Sequence, residues 1–123
     1  MSVKPKTILL VDDDRDIVEL MQESLEDLSF KVYTAFNGQE ALDFLAKQKV
    51  DCIITDISMP IVDGQEFIRR LQASGDHTPF FFITGYQDYS KENLNIYKPR
   101  AIIFKPFDFE EAAILIKNHV MRA

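Results

Sequence analysis

Apolar runs of strand length alternate with helical spacing from one end of the chain to the other. Residues 7–11 (TILLV) form the first run, and Ile17, Leu20, Met21, Leu25 and Leu28 then recur on one helical face. Residues 31–35 (KVYTA) predict a second strand, and Asn37-Gly38-Gln39 opens a helix that carries Ala41, Leu42 and Leu45 inward. Residues 51–55 (DCIIT) predict a third strand; the helix after it starts near Gly64, turns Phe67, Ile68 and Leu71 inward and stops at Gly75. The fourth strand, residues 79–83 (PFFFI), is wholly apolar, as suits a strand covered on both faces. A short, weakly patterned helix is expected around residues 87–96. A fifth strand at 101–104 (AIIF) follows, then a final helix over 108–121 with Phe109, Ala112, Ala113 and Ile116 on one side.

Five βα units in succession imply one α/β domain spanning residues 1–123, with a parallel sheet and helices on both faces. Right-handed crossovers restrict the winding, and 2-1-3-4-5 is a common order for five strands. All strand carboxyl ends then share one edge, outside which open α/β sheets place their sites. The first strand runs into Asp12, Asp13 and Asp14, the third into Asp56, the fourth into Thr84 and Gly85, and the fifth into Lys105 and Pro106.

Composition narrows the class without changing that picture. Hydrophobic residues make up 46% and charged residues 28% of the 123, an ordinary globular balance. No apolar run approaches the roughly 20 residues that span a bilayer, and residues 1–6 lack a signal-peptide apolar region, so a soluble cytoplasmic protein away from membranes is expected. The net charge of −6 argues against direct nucleic-acid binding. Cys52 lies in an apolar strand and reads as a small core residue. His77 and His119 lack metal-ligand spacing and are expected on the surface.

The run of acids demands a compensating cause, because two like charges about 4 Å apart repel by roughly 1 kcal/mol in water and roughly 4 at an effective dielectric of about 20. A helix start accounts for part of it: Asp14 suits an N-cap, and first-turn acids suit the helix dipole. A hard cation accounts for the rest, since Mg2+ takes carboxylate and phosphate oxygens. An acid cluster, a lone acid, a hydroxyl and a lysine meeting at one edge form a set suited to a metal and a phosphoryl group.

The motifs LLVDDD, IITDISMPIVDG, FFITG and IIFKPF, in this order, resemble those of response-regulator receiver domains, from about Lys6 to the carboxyl terminus. The resemblance implies a flavodoxin-like (βα)5 three-layer sandwich of order 2-1-3-4-5. It further implies a phosphoacceptor in two-component signalling, not an enzyme with a separate substrate. Asp56 would take a phosphoryl group from a phosphohistidine of a sensor histidine kinase or a histidine phosphotransfer protein. Asp13 and Asp56 would ligate Mg2+ directly, Asp12 through water and Ser58 through its backbone carbonyl. Thr84, Lys105 and the Gly85 amide would meet the phosphoryl oxygens. The family often has a cis bond where Lys105-Pro106 stands. An effector protein, or an output domain outside this chain, would read the signal, and dimers would form through the 87–96 helix, the fifth strand and the final helix.

The chain departs from the family pattern at Ile102, where receivers often carry Tyr or Phe, and in Lys98-Pro99-Arg100, where Gly-Ala is common. Ile102 has a stiff χ1 and no hydroxyl, so the usual aromatic switch is not expected. Tyr86, Tyr89 and Tyr97 are either partner anchors or ordinary packing residues. Ser58 and Tyr86 occupy positions where the family tunes dephosphorylation. Three rival functions remain: a haloacid-dehalogenase-type phosphatase with Asp12 as nucleophile, which leaves Asp56 unexplained; flavin binding, which three acids would oppose; and a receiver-like interaction domain that works without phosphorylation.

Overall fold

The computed structural model describes residues 4–85 and 94–121. Five parallel strands, β1 (Thr7–Val11), β2 (Lys31–Ala35), β3 (Cys52–Asp56), β4 (Phe80–Gly85) and β5 (Ile102–Lys105), form one sheet of order β2-β1-β3-β4-β5. Helices α1 (Arg15–Asp27), α2 (Gly38–Lys47), α3 (Gly64–Ala73) and α4 (Phe109–Val120) cover it. This is the expected flavodoxin-like architecture. The expected helix at 87–96 lies mostly outside the described residues, of which Leu94 and Asn95 are helical.

The helices start where short polar side chains can take orphan amide protons. Asn37 accepts from the Glu40 amide, Asp63 from that of Glu66 and Asp108 from that of Glu111. Gly75, at φ +92°, lets the chain leave α3 through the left-handed region.

Successive strand residues point to opposite faces, which divides the core in two. Leu9, Val11, Phe80 and Phe82 pack with Ala41, Leu45, Phe67 and Ile68, whereas Ile8, Leu10, Phe81 and Ile83 pack with Met21, Leu25, Ala113 and Ile116. Hence α2 and α3 cover one face and α1 and α4 the other. Phe67, Phe81 and Phe82 are fully buried, and truncating any of them to Ala would cost about 3 to 5 kcal/mol. Cys52 is buried as expected, and burial pushes its thiol up to about 12.

Two details differ from the sequence pattern. The inward face of α1 uses Val18, Met21 and Leu25, while Leu20 is exposed. The last three strands run one or two residues further than their apolar runs, so Asp56 and Lys105 end their strands, Thr84 is the last residue but one of its own, and all three are ladder residues and not loop residues. Their backbones keep pairing after their side chains turn polar.

Candidate functional site

Sheet register brings the polar strand ends together: Asp56 lies opposite Ile83, Thr84 opposite Phe104 and Gly85 opposite Lys105. Beyond β1, the Asp12 amide donates to the Ala35 carbonyl at 3.1 Å, carrying Asp12 one residue past the strand. The three consecutive acids then divide their tasks. Asp12 is fully buried, and its Oδ1 accepts from the Asp14 amide at 2.9 Å. Asp14 caps α1, accepting from the Asp16 and Ile17 amides at 3.0 and 3.3 Å, the helix-start role expected for it. Asp13 is left exposed between them.

Asp56 is 5% exposed. Its Oδ1 accepts from the Ile57 amide at 2.9 Å and its Oδ2 from Lys105 Nζ at 3.1 Å. The same Nζ lies 3.5 Å from Asp12 Oδ2. The Lys105-Pro106 bond is cis. Thr84 is buried beside them, its hydroxyl donating to the Gly85 carbonyl at 3.3 Å. Ser58 is exposed two residues beyond Asp56.

Asp12, Asp13 and Asp56 each place a carboxylate oxygen within 4.8 Å of the others. Three carboxylates against one ammonium leave a surplus of negative charge in a largely buried space. Burial, and then the charge of Asp56, push the Asp12 carboxyl up to about 7. Burial also raises Asp56, against the pull of Lys105. For Lys105 burial alone would lower the ammonium, but Asp56 and Asp12 together outweigh it and the net direction is up. Among the described residues Asp12 Oδ2 is the one buried side-chain oxygen or nitrogen without a hydrogen-bond partner. Its one cation is the Lys105 ammonium at 3.5 Å, shared with Asp56, and a buried oxygen left without a hydrogen bond costs about 1 to 3 kcal/mol unless something further engages it. All-oxygen donors, surplus negative charge and an orphaned buried carboxylate oxygen fit a hard divalent cation.

Some residues that shape the site escaped sequence reasoning. Thr55 is fully buried, and its hydroxyl donates to the Asp56 carbonyl at 2.9 Å; a hydroxyl inside an otherwise apolar strand was its only signal. Gly64 reads in sequence as turn punctuation, yet a Cβ there would stand 2.1 Å from the Asp56 carbonyl oxygen. Close approach, not unusual backbone geometry, requires glycine. The Arg15 guanidinium lies 4.0 Å over the Phe36 ring and ties the start of α1 to the end of β2, a contact that no sequence spacing announces.

Residues 8–117 match the model of the response regulator receiver domain. The chain belongs to that family. Curated relatives of this receiver domain include the response regulator MprA of Mycolicibacterium vanbaalenii, 35% identical over 87% of this chain and 47% of its own length. The probable transcriptional regulator ycf29 of Porphyra purpurea is 37% identical over 94% of this chain and 56% of its own. The chain thus spans about half the length of these relatives. Among solved structures, the chemotaxis response regulator CheY4 of Vibrio cholerae superposes with a TM-score of 0.82 at 30% identity, over 95% of this chain and 99% of its own. TrrA of Thermotoga maritima, solved in complex with Mg2+-BeF, gives 0.81 at 31% identity, over 92% and 97%.

The phosphatase and flavin alternatives fall with that assignment. At the position where receivers often carry an aromatic, Ile102 is half-buried, packed with Tyr97 against the cluster that holds Phe82. The Tyr97 and Phe82 rings meet edge to face at 6.3 Å, so Tyr97 serves at least as a packing residue. Tyr86 and Tyr89 lie outside the described residues. His77 and His119 are exposed as expected, although His119 also sets its ring edge-on to Phe81 at 5.5 Å.

Proposed function

We propose that this receiver domain is a phosphoacceptor: Asp56 takes a phosphoryl group from the phosphohistidine of a sensor histidine kinase or a histidine phosphotransfer protein. An Asp56 carboxylate oxygen attacks phosphorus, the P–N bond breaks, and its electron pair returns to the imidazole. Lys105, already 3.1 Å from Asp56 Oδ2, follows the developing charge onto a phosphoryl oxygen. Thr84 rotates its hydroxyl from the Gly85 carbonyl toward another, and the Gly85 amide faces the same group. Asp12, Asp13, Asp56 and the Ser58 backbone carbonyl would hold Mg2+. When bound, that ion neutralises the acids and lets a second anion approach. The protein acts on itself and has no separate substrate, so it is a signalling element and not an enzyme in the usual sense.

The observation that carries this reading is the orphaned Asp12 Oδ2 in the triad of carboxylates facing one lysine. No helix among the described residues is long and apolar enough to cross a membrane, consistent with a cytoplasmic place beside a kinase. The matched relatives are about twice as long as the shared region and one is named a transcriptional regulator, so the output is an attached domain or a separate effector. With a net charge of −6, this domain does not itself bind nucleic acid. The new charge on Asp56 would bias the face made by the segment before β5, β5 and α4 toward a partner or a second copy.

Intact mass after incubation with acetyl phosphate tests the reading. One added phosphoryl group that requires both Mg2+ and Asp56 is expected. No adduct, together with no response to the stable mimic beryllofluoride, or an adduct that persists in Asp56→Asn, would shift the weight to a phosphorylation-independent interaction domain or to another nucleophile.

A further inference from the structure

The opposite edge of the sheet, where the strands begin, is unlike the acidic one. Two cavities adjoin there, of about 460 and 730 Å³, within the range of small-molecule sites. Pro79, Arg100 and His119 line both; Lys6 adds to the first, and Lys98 and His77 to the second. In a chain of net charge −6, three permanent cations therefore surround one cleft. Among the described residues none of Lys6, Lys98 and Arg100 makes an ion pair.

The acids nearby are already engaged. Asp51 lines the first cavity, but its Oδ2 accepts from the Thr7 amide at 2.8 Å and the Thr7 hydroxyl at 3.1 Å. Asp76, next to His77, is held by Lys49 at 3.0 Å and by the amide and hydroxyl of Thr78. The cationic segment is fixed in place. Lys98 sits at φ 61°, in the left-handed region that costs a non-glycine residue free energy. Its amide donates to the Asn95 carbonyl at 3.0 Å, the Arg100 amide to the Phe80 carbonyl at 2.8 Å, and Gln72 Nε2 to the Tyr97 carbonyl at 2.9 Å. Such a loop leaves little backbone ordering to be done on binding.

We propose that this cleft binds a small molecule carrying a pyrophosphate group, with Arg100 between its two anionic centres and Lys6 and Lys98 on either side. Two linked anions suit this lining, in which the outer lysines belong to different cavities while Arg100 and His119 belong to both. The guanidinium fork suits phosphoryl oxygens bidentately, and the histidine ring nitrogens can add hydrogen bonds. The site is independent of phosphoryl transfer at Asp56.

An NMR titration of the 15N-labelled chain, in magnesium-free buffer at constant ionic strength, tests this with inorganic pyrophosphate and, separately, ADP. Saturable shifts at Lys98, Arg100 and His119, with Asp13 and Thr84 unmoved, are expected. Arg100→Gln and Lys98→Ala should each weaken binding roughly tenfold, the size of one charge-assisted contact. Equal binding of the two probes, or tighter binding of ADP, supports the site and differs only in whether the base contributes. Shifts that never saturate, that sodium chloride reproduces, that centre on Thr84 and Lys105, or that persist unchanged in both variants would overturn it. If Arg100→Gln fails to fold, Lys6→Ala and Lys98→Ala carry the test at exposed positions.

Discussion

Glu66 on α3 and Asp12 after β1 are both acids with a cation in reach, and they respond in opposite directions. Glu66 accepts from Arg69 through both of its oxygens and from Arg70 Nε at 2.7 Å, in a partly exposed setting. Hydrogen bonds from Arg69, then from Arg70, hold its carboxyl down to about 2. Asp12 is fully buried, shares one ammonium with Asp56 and is pushed up to about 7. One cluster has more positive partners than it needs, and the other too few. Exposed ion pairs contribute little to stability, whereas a buried charge that is only partly compensated is costly and persists where it serves a task. The contrast supports the proposed site on the carboxyl edge and gives the α3 cluster no such strain.

Outside the apolar core, the largest effect should come from Gly64→Ala. The new Cβ would strike the Asp56 carbonyl oxygen, and chemical denaturation should show a loss of about 2 to 4 kcal/mol with Asp56 displaced. Full stability in that variant would mean the site is not fixed by this contact. Next is Asp12→Asn, which should stabilise the metal-free protein. The folded Asp12 titrates near 7 against an ordinary 3.8, so below both values it is protonated folded or unfolded and costs nothing. Between them the unfolded chain releases a proton that the folded chain keeps, so stability falls as pH rises and the full cost is present above about 7. Asp12→Asn should therefore gain on the order of 1 to 3 kcal/mol above about pH 7, with the gain fading toward pH 4 in a melting series. Asp14→Ala removes the cap of α1 and should cost about 1 kcal/mol near neutral pH, separating a capping acid from one without that structural use. Glu66→Gln should barely move the midpoint, and added salt should erase even that difference.

Much of this was legible beforehand, for identifiable reasons. Parallel strands buried on both faces write themselves as apolar runs, and the alternation with helices forces their carboxyl ends to one edge. That brings Asp12, Asp13, Asp56, Thr84 and Lys105 to one edge from the sequence alone. Periodicity alone could not choose between Val18 and Leu20 on α1, because at about 100° per residue the two lie at opposite borders of one apolar stripe centred on Met21 and Leu25. Nor could it distribute three adjacent acids among helix cap, buried carboxylate and exposed carboxylate, since hydrogen bonds to particular amides decide that. Gly64 and Arg15 act through contacts across the chain, to Asp56 and Phe36, that have no local signature.

The account rests on the acid cluster being built around a divalent cation, and the most direct measurement is thermal unfolding with and without Mg2+ above about pH 7, for the wild type and for Asp12→Asn. The wild type should gain stability that saturates with Mg2+, by an amount that follows the metal's affinity, and Asp12→Asn should gain much less from the metal while starting higher without it. A wild type indifferent to Mg2+, or equal stabilisation of both proteins, would contradict the claim that Asp12 and its neighbours form a metal-dependent phosphoacceptor site.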